Sequence, residues 1–225
     1  PGANGDIPNL RAFIDNAAQA KVKTAVAADL MSLVLLEAPG TLGADVVVGS
    51  SQRFGIPLGY GGPHAAFFAT KTAYKRSVPG RIIGVTQDQS GNRALRMALQ
   101  TREQHIKRDR ATSNICTAQV LLAVIAGMYA VYHGPEGLKS IATRIHRHAC
   151  QLNQMLEQLG ITQKNKAFFD TLHIEAPAHE ILHLAAAKGI NLRQINKSEL
   201  SITFHEATEA VSYTHPEPTR PSSIS

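Results

Sequence analysis

Hydrophobic and polar residues follow different patterns in the two halves of the chain. Short runs of β-branched and small apolar residues at 21–28, 44–49 and 65–69 predict buried strands. The apolar stretch 29–36 follows the first run and predicts a helix, so the order of elements indicates an α/β fold. Residues 54–63 contain four glycines and two prolines, which exclude regular structure and allow another group to approach the backbone closely.

Two long helices are predicted in the second half, because apolar residues there recur at spacings of three and four. The first covers about 118–132 and ends at His133-Gly134-Pro135, since glycine and proline stop a helix. The second runs from about Leu138 to Gly160, a length typical of a connection between two subdomains. The residues assigned to one face of the first helix are Ala118, Leu121, Leu122, Ile125, Met128, Tyr129 and Tyr132.

A small α+β unit is predicted after the second helix. Residues 171–175 and 200–204 have strand character, and residues 178–188 between them predict a helix that ends at Gly189. Residues 210–225 are rich in Pro, Ser and Thr and have no periodicity, so we expect a disordered, non-native tail.

Composition narrows the classes of function. The chain is 44% hydrophobic with a mean hydropathy of -0.10, and no apolar run approaches the roughly 20 residues of a membrane span, so no membrane partner is expected. The net charge is +6, but the basic residues are dispersed and lack an aromatic platform, which argues against nucleic acid. Cys116 and Cys150 are expected to be reduced thiols. The start, Pro1 to Asp6, has no initiator Met and no targeting pattern, and we interpret it as a cut edge.

One short motif suggests a different chemistry. His179-Glu180-Ile181-Leu182-His183 matches the HExxH pattern, in which two histidines one helical turn apart bind zinc and the glutamate activates water. A third ligand would have to be Glu199 or Glu206, and neither has a familiar spacing. The preferred interpretation is an exposed helix with no metal site, and a zinc hydrolase remains an alternative.

Four long motifs carry a resemblance to a known family. They are Gly49–Phe68, Pro79–Val85, Thr101–Ile106 and Ala111–Thr117. Nearly residue for residue, they resemble the N-terminal half of the glycine cleavage system P-proteins, the glycine dehydrogenases (decarboxylating). The resemblance runs from near residue 10 to about Glu209, as expected for an internal fragment of that half.

The resemblance implies an α/β fold of the fold-type I PLP-dependent transferases, which is aspartate aminotransferase-like. The expected domains are the C-terminal part of the large domain at 1–135 and a small α+β domain with its linking helix at 136–209, followed by the tail at 210–225.

The resemblance also implies which half holds the cofactor. Gln52 aligns with the lysine that forms the Schiff base in the other half of the family's enzymes, and a carboxamide cannot form an imine. Ala27 and Ala28 occupy the strand end where an aspartate would pair with the pyridinium nitrogen, and Asp29 is the nearest carboxylate. No catalytic residue is therefore expected here, cofactor-binding residues remain unassigned, and pyridoxal 5'-phosphate would be bound covalently by the other half.

The activity implied by the family is glycine decarboxylation with transfer of the aminomethyl group to lipoyl H-protein. The implied partners are the C-terminal half, fused or separate, H-protein and glycine, in a dimeric full enzyme that is cytoplasmic in a bacterium or mitochondrial in a eukaryote. The candidates for an active-site or interface role are Arg102, His105, Arg108, Thr112 and Asn114. A purely structural pseudo-subunit is the alternative.

Overall fold

The computed structural model describes residues 1–57, 62–78, 82–99, 104–111 and 119–209, with only the backbone given at His105. They form three sheets and four α-helices. One of these helices is long and interrupted, and it runs alongside the last sheet. Within these ranges no helix combines the length and the apolar character that a membrane crossing requires.

The first sheet contains three strands, β1 (Ala25–Ala27), β2 (Val46–Ser50) and β3 (Ala66–Thr70), in that order. Strands β1 and β2 are parallel, whereas β2 and β3 are antiparallel. Helix α1 (Leu10–Gln19) packs on one face, where a small core forms. Its buried residues are Ile14, Val26, Ala44 and Val47. The three strands predicted at the apolar runs are confirmed.

Two segments differ from the sequence-based expectations. The helix predicted at 29–36 is reduced to a 3-10 helix at Ser32–Val34, because the Asp29 carboxylate accepts the amide hydrogens of Met31 and Ser32 and tightens the turn. Helix α1 was not predicted, although Asn9 gives a start signal: its side chain accepts the backbone N–H of Ala12.

A hairpin formed by β4 (Ile82–Gln87) and β5 (Arg93–Leu99) was also not predicted. Its turn is closed by the Asp88 carboxylate, which accepts the amide hydrogens of Ser90 and Asn92 at 2.8 Å each. Gly91 has φ 82°, the left-handed conformation that glycine adopts without strain. A short helix α2 (Gln104–Lys107) and a 3-10 turn follow.

Helix α3 (Val120–Gln158) is interrupted at Gly134, where φ is 61° and ψ is 179°. Two helical arms therefore meet at this residue, and Pro135 follows immediately, where a helix start tolerates the missing N–H. The predicted stop at 133–135 is confirmed. The residues predicted to share one face of the first arm do not share one environment, because Leu121, Met128 and Tyr132 are exposed whereas Leu122, Ile125 and Tyr129 are half-buried.

The last sheet is antiparallel throughout, with the order β6 (Thr162–Gln163), β7 (Thr171–Glu175), β9 (Glu199–Thr203) and β8 (Arg193–Asn196). Helix α4 (Ala178–Ala187) connects β7 and β8. The strands predicted at 171–175 and 200–204 and the helix predicted at 178–188 are confirmed, whereas β6 and β8 were missed. The second arm of α3 packs on this sheet, and the shared core includes Ile145, Ala149, Leu172, Ile174 and Leu200.

Residues near the start of the chain also pack on this last sheet. Asp6 forms a β-bridge with Phe168, and the amide of Ile7 donates to the carbonyl of Ala167 at 3.1 Å. The Arg193 guanidinium donates to the carbonyl of Ala3 at 2.5 Å. The domain limits at 135/136 and 209/210 stay predictions. Cys150 is a free thiol, and Cys116 lies outside the described residues.

Candidate functional site: the loop after strand β2

The residues that follow β2 form a tight loop whose position is fixed by packing on α3. Phe54 is buried, and its ring lies 5.4 Å from the ring of Tyr129. Gly55 has φ 88°, and a Cβ built there would meet Ile125 and Tyr129 at 3.1 Å. The glycine is thus required both by the backbone conformation and by the close approach of the helix.

Gln52 lies at the first turn of this loop and is half-buried. Its backbone N–H donates to the Ser50 hydroxyl at 3.1 Å, and its carbonyl accepts the N–H of Ile56 at 3.1 Å. Among the described residues its side-chain Nε2 has no hydrogen-bond partner, although that atom is buried. A primary carboxamide is not a nucleophilic amine, so Gln52 cannot anchor an aldehyde cofactor covalently.

Arg53 connects three separate segments of the fold. Its Nη1 donates to the Asp29 carboxylate at 2.9 Å and to the Asp170 carboxylate at 2.5 Å. Its guanidinium carbon lies 5.5 Å from the centroid of the Phe169 ring. Asp29 follows β1, whereas Asp170 precedes β7, so this one side chain joins the first sheet to the last. We call Arg53, Asp29 and Asp170 the Arg53 bridge.

The contacts of Asp29 in the Arg53 bridge bear on whether the described residues could bind pyridoxal phosphate. Asp29 was the nearest carboxylate to the pyridinium position, but here it accepts from Arg53 and from two backbone amides. It is thus committed to the bridge, and Gln52 lacks an amine. The described residues of this chain therefore do not fit a covalently bound pyridoxal phosphate.

A cleft of about 560 Å³ opens beside the Arg53 bridge. Its lining is largely apolar, with Met31, Ile56 and Phe204 on its walls. At its rim the Tyr129 hydroxyl donates to the Glu206 carboxylate, and the Arg144 guanidinium donates to the carbonyl of Glu206 at 3.0 Å. Burial, and then the bond to the Glu206 carboxylate, raise the pKa of the Tyr129 phenol well above its usual value. Tyr129 is therefore a hydrogen-bond donor throughout the physiological pH range.

The structure gives only partial information on the predicted active-site or interface candidates. Arg102, Thr112 and Asn114 lie outside the described residues, and His105 lies in α2 with only its backbone described. Arg108 directly follows α2, is exposed, and has φ 52°, an uncommon conformation for a residue with a side chain. Their common site thus stays a prediction.

The HExxH residues lie on α4, where His179, Glu180 and His183 are all exposed. Within the described ranges no group of three His, Cys, Asp or Glu side chains is close enough to hold a metal ion.

The most extensive contacts at this site involve residues that sequence reasoning did not single out. Arg53 and Asp170 are separated by 117 positions, so no local pattern connects them. The sequence signal that could have indicated the pairing is the position of Arg53, a cation next to Gln52 at the start of a Gly-rich loop. A charge at such a position is costly unless it is paired.

Comparison with known proteins identifies the family. The profile described as glycine cleavage system P-protein matches residues 1–213. Glycine dehydrogenase (decarboxylating) of Christiangramia forsetii is 60% identical over 208 residues, and that of Nostoc sp. is 59% identical over 211 residues. Each alignment covers 92% of this chain but 22% of the relative, so the chain spans about a fifth of these proteins.

Solved structures agree with this assignment. A crystal structure of glycine decarboxylase (P-protein) of the glycine cleavage system, in inhibitor-bound form, has a TM-score of 0.84 and 34% identity, and the match covers 92% of this chain and 49% of that one. An aspartate aminotransferase from Thermus thermophilus has a TM-score of 0.62 at 13% identity, which shows a shared fold alone. The fold is that of the fold-type I PLP-dependent transferases, as predicted. Because the family match extends over residues 1–213, the chain belongs to the glycine cleavage system P-protein family.

Proposed function

We propose that this chain is part of a PLP-dependent glycine dehydrogenase (decarboxylating), from the half that lacks the Schiff-base lysine. The observation that carries the proposal is the Arg53 bridge, which engages Asp29 beside Gln52, the residue that the family resemblance aligns with the Schiff-base lysine. The sequence identity of 60% with a glycine dehydrogenase supports the same reaction for the parent enzyme.

The role of this half is to shape the active site of the partner half. Pyridoxal phosphate held by that other half supplies the electron sink for decarboxylation of glycine. The Arg53 bridge holds the loop after β2 against the last sheet, and Phe54 holds the same loop against α3. A loop tied on both sides is a rigid support for neighbouring residues, as a precise pocket requires.

The segment 101–117 is the part proposed to border the glycine pocket. Glycine brings a carboxylate and the cofactor a phosphate, so such a pocket needs fixed cations and neutral donors. Arg102, His105 and Arg108 supply the cations, and Thr112 and Asn114 the neutral donors. Lipoyl H-protein is the proposed acceptor of the aminomethyl group, in a dimeric enzyme that is cytoplasmic in a bacterium or mitochondrial in a eukaryote.

The test is a chimera, which avoids any need for the flanking sequence of the parent. The aligned segment of the Christiangramia forsetii enzyme is replaced by this chain, and glycine decarboxylation is measured with lipoyl H-protein. We expect activity within about tenfold of the unmodified enzyme. A chimera that folds and binds cofactor but retains less than about a hundredth of that activity would contradict the proposal.

A further inference from the structure

The first arm of α3, residues 120–133, is apolar on both of its faces. The half-buried residues recur with helical spacing and form the inner face; they are Leu122, Ile125, Ala126, Tyr129, Ala130 and His133. The exposed residues form the opposite, outer face; they are Val120, Leu121, Ala123, Val124, Gly127, Met128, Val131 and Tyr132. A helix that is hydrophobic all round is normally buried.

The inner face is already occupied. Tyr129 contacts Phe54 and bonds to Glu206, while Ile125 lies close to Gly55. These contacts fix the rotation of the arm about its axis, so the outer face cannot turn inward. The outer face is therefore a separate surface with a defined direction.

The exposure of this outer face is high for apolar side chains. Leu121 is 70% exposed, Val131 76% and Tyr132 85%. Six large side chains, each presenting on the order of 60–100 Å², give an apolar surface of roughly 350–600 Å², comparable with the largest patch of a typical monomer. No charged residue occurs between Arg110 and Glu136, so this surface offers no salt bridge to a partner.

The spacing on the outer face suits another helix. Leu121, Val124, Met128 and Val131 are separated by three, four and three residues, which is the spacing of a helix-to-helix seam. A Cβ built at Gly127 meets nothing within 4 Å among the described residues, so a neighbouring backbone could approach closely there.

The hairpin has a similarly uncovered face. Ile83 pairs with Met97 and Val85 with Leu95, and all four side chains are 43–69% exposed. A two-stranded hairpin is marginally stable by itself in water, so this face also requires a cover. Two uncovered apolar faces are expected in a chain that spans 22% of its curated relatives and 49% of a solved P-protein chain.

We propose that the outer face of the first arm of α3 docks on an apolar helix from the part of the parent P-protein that lies outside this chain. The inference rests on the proposed function, since that parent supplies the helix. It adds the surface through which this half meets the rest of the enzyme, namely the seam along Leu121, Val124, Met128 and Val131.

The first experiment uses the chimera described above and pairs of charged substitutions. Val124→Glu with Met128→Glu places two carboxylates in the seam, and Leu184→Glu with Ala187→Glu places two on the exposed side of α4 as the matched control. We expect the seam pair to lower the melting temperature by about 5 °C or more, because a buried charge loses its hydration, and the control pair to change it by less than about 2 °C. Equal effects of the two pairs would overturn the proposal.

The second measurement needs no substitution, so it can be made even if the seam variant does not fold. Hydrogen peroxide oxidises accessible methionines, and Met128 is 60% exposed in this chain. In the folded chimera we expect Met128 to be oxidised at least about tenfold more slowly than in the denatured chimera. Oxidation of Met128 in the folded chimera at the rate of the denatured chimera would overturn the docking. The docking would also be overturned if Met128 were protected only in a self-associated dimer of the purified chain and not in the chimera. An inactive chimera with protected Met128 would instead contradict the proposed function and leave the docking supported.

Discussion

At the scale of single residues, Asp45 shows how a carboxylate stabilises the first sheet. Its side chain accepts the N–H of Thr24 at 2.9 Å, the ammonium of Lys71 at 3.0 Å and the hydroxyl of Tyr74 at 2.9 Å. The backbone N–H of Thr24, and then Lys71 and Tyr74, lower the pKa of Asp45 well below its usual range. The charged form is thus favoured in the folded state.

This lowered pKa predicts a specific acid sensitivity. An unfolded aspartate has a pKa of about 3.9, so the stabilisation by ionised Asp45 is fully present above about pH 4 and is lost as the pH falls towards the lower folded pKa. Asp45→Asn keeps the size but cannot ionise, so its deficit in unfolding free energy should be largest at neutral pH and shrink below about pH 4. Denaturant unfolding of both proteins at about pH 7 and pH 2.5 measures this, and a deficit that is the same at both values would contradict it.

The basic segment gives the residue-scale prediction for activity. In the chimera, Arg102→Ala or His105→Ala should reduce glycine decarboxylation by more than about tenfold, a loss of more than about 1.4 kcal/mol, because a fixed cation near the substrate anion is removed. The fold and the cofactor spectrum should stay largely intact, and Lys107→Ala, which removes an exposed cation of α2, is the control. If Arg102, His105 and Arg108 all tolerate Ala within about twofold, the segment is only a surface.

Prediction from sequence was uneven at this scale. Gln52 was singled out because a long motif aligns it with the family's lysine, and that alignment stays a prediction. Arg53 was not singled out, since its two carboxylate partners lie 24 and 117 positions away and only the folded chain brings them together. Asp29 was noted for its position after a strand, but its ion pair could not be foreseen for the same reason.

At the scale of elements, helix α4 tests the HExxH motif. His179 and His183 lie one turn apart and are exposed, but a zinc site needs a third protein ligand. We expect the purified chain to contain much less than one zinc per molecule by elemental analysis after dialysis. Recovery of one zinc per chain that disappears in His183→Ala, but persists in a control such as His64→Ala, would overturn this expectation.

Elements were predictable where one pattern dominated. The buried strands stand out as apolar runs, and Gly134-Pro135 marks the break in α3. The hairpin was missed although Gly84 and Arg96 alternate with apolar neighbours as in a strand, because each alternating run is short and polar residues take over at Gln87 and Arg93 beside the turn. The residues predicted on one face of the first arm divide between half-buried and exposed positions, because both sides of the arm are apolar and periodicity alone has no polar side to show which of them packs inward.

At the scale of the whole molecule, the chain should form no covalent adduct with pyridoxal phosphate. The family resemblance aligns Gln52 with the lysine position, and the lysines near the first sheet, such as Lys23 and Lys71, interact with Asp45 at its edge. After incubation with the cofactor and borohydride reduction, mass mapping should find only scattered substoichiometric labelling. Gln52→Lys is a useful comparison at the same position. Stoichiometric labelling of one lysine in the unaltered chain would refute the expectation.

The contacts of residues 3–7 with the last sheet have a consequence for folding. The Asn165 side chain donates to the carbonyl of Asn4 across 161 positions, and Asp6 bridges to Phe168. Ribosomal synthesis proceeds from the amino end, so these early residues must wait for roughly 160 more before their partners emerge. Contacts of such high sequence separation form late and slow the overall rate. The first sheet and α1 are thus positioned to form during translation, whereas the contacts that residues 3–7 make beside the last sheet can form only after that sheet, at 162–203, has been made.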